Sequence, residues 1–138
     1  MPMKSRFLLL LLTISSVLYA GRPWKMESVD PQEKVTLTID LYEESVEVPG
    51  MEMFGLMNGY LGGNIYGVWP VTSFRIKGNR AILRLSNDLG SETQEAELVQ
   101  TSDSTYMLEL KGSVVVKRAV GRKLVKIAPT LKMFRRAR

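Results

Sequence analysis

Apolar and polar residues alternate in short runs along most of this chain. Val35, Leu37, Ile39 and Leu41 are separated by Thr36, Thr38, Asp40 and Tyr42. A period of two rich in β-branched residues predicts a half-buried strand. Val46 and Val48 extend the pattern after a tight connection at Glu43–Glu44, and Pro49–Gly50 ends it. Thr72, Phe74 and Ile76 then take one face and Ser73, Arg75 and Lys77 the other, before Gly78–Asn79 turns the chain. Ala81, Leu83 and Leu85, then Ala96 and Leu98, then Tyr106, Leu108 and Leu110 repeat the alternation. Val114–Val116 and Leu124–Ile127 follow turns at Gly112–Ser113 and Gly121–Arg122, and Pro129 stops the last run. Turns centred near 78, 89, 103, 112 and 121 have the rhythm of an antiparallel meander. The expected fold is therefore all-β, with eight to nine strands closed into a barrel or a strongly curled sheet. Closure would leave no exposed strand edge.

The first twenty residues, MPMKSRFLLLLLTISSVLYA, follow a different pattern. Lys4 and Arg6 precede an apolar run from Phe7 to Leu18, the length of a signal-peptide h-region and short for a membrane span. Ala20 and Gly21 supply small residues at a cleavage point, and no cysteine follows for lipid attachment. The expected organisation is a cleaved signal peptide at 1–20, an N-terminal linker at 21–33, the β domain at 34–129 and a basic tail or final strand at 130–138. The expected location is periplasmic or secreted, with no stable membrane anchor after cleavage.

Composition narrows the chemistry. The chain has 138 residues, enough for one domain, with 19 basic and 14 acidic side chains. Without Lys4 and Arg6 the excess falls to about +3, too modest to argue for nucleic acid. Cysteine and histidine are both absent. Hydrophobic burial, and no disulfide, must hold the fold. Ser-His-Asp and Cys-His nucleophilic systems and the usual zinc and copper ligands are excluded. No enzyme activity and no cofactor are expected. Carboxylate pairs for glycoside hydrolysis remain drawable from Glu43, Glu44, Glu47, Asp88 or Glu92. Alternation places several of these on exposed faces, where nothing raises a pKa for general-acid work. Asn87, Asp88, Ser91 and Glu92 surround a glycine turn, but they match no calcium-loop spacing and are ordinary turn formers. No metal site is expected.

Residues 50–70, GMEMFGLMNGYLGGNIYGVWP, break the alternation with six glycines among methionines and aromatics. Such a stretch predicts bulges and close backbone approaches. Met51, Met53, Phe54, Tyr60, Tyr66 and Trp69 are the candidate ligand-binding residues, because Met adapts its shape and aromatics supply area. The same side chains equally suit a core. Gly67-Val68-Trp69 resembles the G-x-W signature of lipocalin-like proteins. That resemblance implies a Trp plugging one barrel end, with Arg122 or Lys123 packed over it. More broadly, TLTIDLYEESVEVPGMEMFG, YGVWPVTSF, RLSNDLGSETQE and VGRKLVKI make the chain similar to small secreted lipocalin-like or calycin-like β proteins of Bacteroidetes. This likeness implies an architecture and no activity.

Charge is segregated. Eight acids lie between residues 27 and 52, whereas after Glu109 there are ten bases and no acid. One expectation is that the acidic first strands pair beside the basic last strands across a barrel seam. The other is a basic surface, Arg118, Arg122, Lys123, Arg135 and Arg136, for an anionic partner. The leading functional expectation is an exported, non-catalytic barrel holding a small apolar or amphipathic ligand. The alternative is a cell-envelope interaction module with a filled core and a basic binding surface. A carboxylate-based glycoside hydrolase is the remote third. The sequence assigns no oligomeric state.

Overall fold

The computed structural model describes residues 21–88 and 90–136. The expected signal peptide and its cleavage point at residues 1–20 lie outside the described residues. The chain forms β1 (Lys25–Asp30), β2 (Val35–Asp40), β3 (Gly59–Gly63), β4 (Trp69–Lys77), β5 (Arg80–Ser86), β6 (Thr93–Gln100), β7 (Thr105–Lys111), β8 (Lys117–Val120), β9 (Lys123–Lys126) and β10 (Thr130–Arg135). Eight of these close into an antiparallel barrel in the order β1-β10-β7-β6-β5-β4-β3-β2. β8 and β9 form a separate hairpin between β7 and β10.

Two boundaries differ from expectation. The stretch 21–33, expected as a linker, contains β1. Its inward positions include Ser28 and Asp30, so the hydrophobic period is masked, yet both side chains are satisfied. Ser28 Oγ donates to the Leu37 carbonyl at 3.0 Å. The Asp30 carboxylate accepts the Gln32, Glu33 and Lys132 N–H groups at 2.9–3.0 Å. Residues 130–135, expected as a basic tail or a final strand, form a full barrel strand that closes the seam between β7 and β1. The Val46–Val48 run forms only a single bridge, Val46 to Met57, although Val48 is buried.

The barrel is filled by its own side chains. Leu37, Leu61, Leu83, Leu98, Leu108 and Leu131, each from a different strand, are fully buried. Register explains the belt: Leu37 opposes Leu61, and Leu108 opposes both Leu98 and Leu131. Burying each such side chain contributes roughly 1.5–3 kcal/mol. Gln94 is a further buried polar residue. Its amide bonds the Val115 N–H and the Glu95 and Lys111 carbonyls at 2.8–3.0 Å, tying the segment after β7 to the barrel.

The glycines of β3 answer a steric demand. A Cβ at Gly59, with φ of +151°, would lie 2.3 Å from the Thr38 carbonyl oxygen. One at Gly63, with φ of +86°, would lie 2.5 Å from that of Lys34. Only a residue without Cβ lets β3 approach β2 this closely.

Candidate functional site

The six apolar candidates are not brought together. Trp69 opens β4 opposite Leu61, faces inward and joins the core, its Nε1–H donating to the Tyr66 carbonyl at 3.4 Å. Tyr60 opposes Thr38 and Pro70 on the outer wall, one position out of phase with Leu61. The Tyr66 side chain is exposed in the β3–β4 connection. Met53 and Phe54 stand on a 3-10 turn at 85% and 67% exposure, with Met51 partly covered beside them. Strand parity and the long connection between β2 and β3 distribute the cluster over core, outer wall and loop.

The lipocalin-like Trp arrangement is also distributed differently. Trp69 begins the fourth strand, and Arg122 and Lys123 lie exposed at the β8–β9 hairpin. The cation–π contacts among the described residues are Arg22 over Tyr42 and Lys132 over Phe134, so neither Arg122 nor Lys123 caps Trp69. It is Trp24, just before β1, that starts the first strand buried, tilted against the Tyr106 ring at 6.2 Å. Arg135 of β10 donates from one guanidinium nitrogen to the carbonyls of Arg22 and Lys25, at 3.1 and 3.0 Å, bracketing Trp24. The short spacing from Gly21 to Trp24 carries the only sequence signal for this arrangement, one residue longer than a G-x-W.

On the outer wall, β1, β2 and β3 frame a polar groove of ≈ 370 Å³ lined by Thr36, Thr38, Tyr60, Glu47 and Arg136 among others. Asp40 lies at its floor and is structurally committed. Burial alone would raise its carboxyl pKa. Hydrogen bonds from Ser45 Oγ and the Glu43 and Tyr42 N–H groups, with the Lys25 charge, hold it below its ordinary value.

The basic candidates separate into two groups. Arg135 and Arg136 belong to the β1–β10 seam, where the Arg136 N–H donates to the Glu27 carbonyl at 2.8 Å. This seam joins the acidic start of the domain to its basic end, and the Arg135 guanidinium and the Arg136 N–H donate there to backbone carbonyls. One side-chain ion pair between the two regions is Arg118 to Glu33 at 3.1 Å.

The second group is the β8–β9 hairpin. Its root is anchored: Val116 and Ile127 are buried and bonded at 3.1 Å, and the Tyr66 N–H donates to the Lys117 carbonyl at 2.6 Å. Beyond the root, residues 117–126 carry Lys117, Arg118, Arg122, Lys123 and Lys126 and no acid. Val120, Leu124 and Val125 are exposed at 55%, 49% and 45%. Lys117 stands directly opposite Lys126, a cross-strand like-charge pair that costs stability in water.

The five carboxylates available for glycoside chemistry are all exposed, Glu43, Glu44 and Glu47 after β2 and Asp88 and Glu92 in the β5–β6 turn. Asn87 organises that turn, its Oδ1 accepting the Ser91 and Glu92 N–H groups at 2.8 and 3.2 Å. Among the described residues no cluster of three or more His, Cys, Asp or Glu side chains forms a metal-binding group. No family model, curated protein or solved structure matches the chain.

Proposed function

We propose that this protein is an exported, non-catalytic interaction module of the cell envelope, whose filled barrel holds the β8–β9 hairpin against an anionic lipid surface. One observation carries the reading: beside Arg118, which pairs with Glu33, an anchored hairpin presents four further cations, no acid and three exposed aliphatic side chains. Cations paired with headgroups and aliphatic tips at the acyl boundary make a peripheral membrane contact. Lipid phosphates would also relieve the Lys117–Lys126 repulsion. A ligand inside the barrel would have to displace the fully buried leucine belt, which favours a surface role over an internal one.

Flotation with phosphatidylglycerol-containing vesicles tests this reading. Binding is expected to fall when Arg122 and Lys123 are changed to Glu, and to weaken as salt rises and the Debye length shrinks below about 8 Å. Equal binding to neutral phosphatidylcholine vesicles, or none to either, would overturn it.

A further inference from the structure

Among the described residues, β4 leaves part of one edge of the barrel open. Its ladder with β3 consists of two pairs, Tyr60 with Pro70 and Leu61 with Trp69. The chain preceding β3 does not continue alongside β4. It turns away and bonds Val46 through Met57 in both directions, at 2.9 and 2.8 Å. From Thr72 to Lys77, β4 is therefore paired on its β5 side alone, among the described residues. Half of the backbone N–H and C=O groups of such a segment point to the unpaired side.

The side chains of this segment carry two distinct signals. A bulge at Thr72 resets the phase, so Phe74 lies opposite Leu83 and Ile76 opposite Ala81. Leu83 and Ala81 are fully buried, yet Phe74 and Ile76 on the same face remain 37% and 39% exposed. They lack the neighbour that a further strand would supply. On the other face stand Arg75 and Lys77. Arg80 and Arg84 of β5 pair with Glu97 and Glu95. Arg75 and Lys77 pair with no carboxylate among the described residues.

We infer that the free edge of β4, residues 72–77, is a docking site for an extended, acidic and amphipathic strand of a partner protein. Such a strand completes the backbone ladder by β-augmentation. Its apolar side chains cover Phe74 and Ile76, and its carboxylates on the alternate positions face Arg75 and Lys77. Charges on an edge strand ordinarily discourage pairing. Here both are cationic and on one face, while the apolar face carries no charge, so they select the partner's sign. They also select against a second copy of this chain. Antiparallel self-pairing about Arg75 keeps both apolar faces inward but sets Arg75 against Arg75.

The test uses the purified chain and two fluorescein-labelled octapeptides, alternating Glu-Val and alternating Lys-Val, read by fluorescence anisotropy. The Glu-Val peptide is expected to bind, and the Lys-Val peptide at least about tenfold more weakly. The double variant Arg75→Glu, Lys77→Glu changes only exposed side chains and is expected to reverse that preference. Phe74→Lys is expected to abolish binding of both peptides. Absence of Glu-Val binding, or equal binding of the two peptides by the wild-type chain, overturns the inference. A wild-type dimer that Phe74→Lys dissociates would also overturn it, by giving the edge to a second copy.

Discussion

The Tyr106 hydroxyl donates to the Pro23 carbonyl at 2.6 Å, joining β7 to the residue that leads into β1 across 83 positions of sequence. Tyr106 is fully buried against Trp24, and Arg135 holds the carbonyls on either side of the same turn. The start of the barrel is thus fastened from both β7 and β10. Tyr106→Phe keeps the ring and leaves the Pro23 carbonyl unpaired. It is expected to cost about 1–2 kcal/mol, seen as a lower urea midpoint with an unchanged slope.

The same residue predicts an alkaline transition. Burial pushes the Tyr106 hydroxyl up to about 12, against the opposing pull of Arg135. A folded pKa above the unfolded one means the folded state holds this proton more tightly. Its contribution is complete below pH 10 and is lost as pH rises from about 10 to 12. A two-unit shift corresponds to about 2–3 kcal/mol. By pH 11.5 most of it is gone, so urea titrations at pH 9 and 11.5 should show Tyr106→Phe losing about 2 kcal/mol less than wild type.

Asp40 predicts the opposite limb. Burial works against its charge, but Ser45, the Glu43 and Tyr42 N–H groups and Lys25 more than compensate, leaving its pKa lowered. A depressed folded pKa stabilises the protein above the ordinary carboxylate range, and the benefit disappears as pH falls through the folded value. Asp40→Asn is expected to cost about 1–2 kcal/mol at pH 7 and to flatten the loss of stability as pH falls below the ordinary carboxylate range. Urea midpoints over that fall in pH provide the measurement.

Two glycines separate steric need from backbone preference. Gly59→Ala would drive a methyl into the Thr38 carbonyl and the Ile39 Cα, 2.3 and 2.8 Å away, and should cost more than about 3 kcal/mol by opening the β2–β3 pair. Gly50 has a φ of +80° but nothing within 4 Å of its would-be Cβ. Gly50→Ala should cost about 1 kcal/mol, the left-handed penalty alone. Comparable losses in thermal melts of the two variants would contradict this account.

Much of the barrel was legible in the chain. Turns at Gly78–Asn79, Gly112–Ser113 and Gly121–Arg122 fall where glycine adopts a positive φ. Ala81, Leu83, Leu85, Ala96, Leu98, Tyr106, Leu108 and Leu110 all face inward as their alternation predicts. β1 was not legible, because Ser28 and Asp30 occupy inward positions whose polar atoms find partners on β2, in the β1–β2 turn and on β10. Nor was the dispersal of Tyr60 and Trp69, since a one-residue difference in phase sends neighbouring side chains to opposite faces.

Sequence by itself determined that this is an antiparallel β domain, because period-two alternation and glycine turns are local properties of the backbone. It also determined which chemistry is missing, since a chain without histidine or cysteine cannot build sites that need them. Only the tertiary structure decided which edges meet. The β1–β10 seam joins residues more than a hundred positions apart, and β4 is left half paired because Met57 bonds Val46 instead of extending along it. Such choices depend on competition among distant backbone groups for the same partners, which no local pattern records.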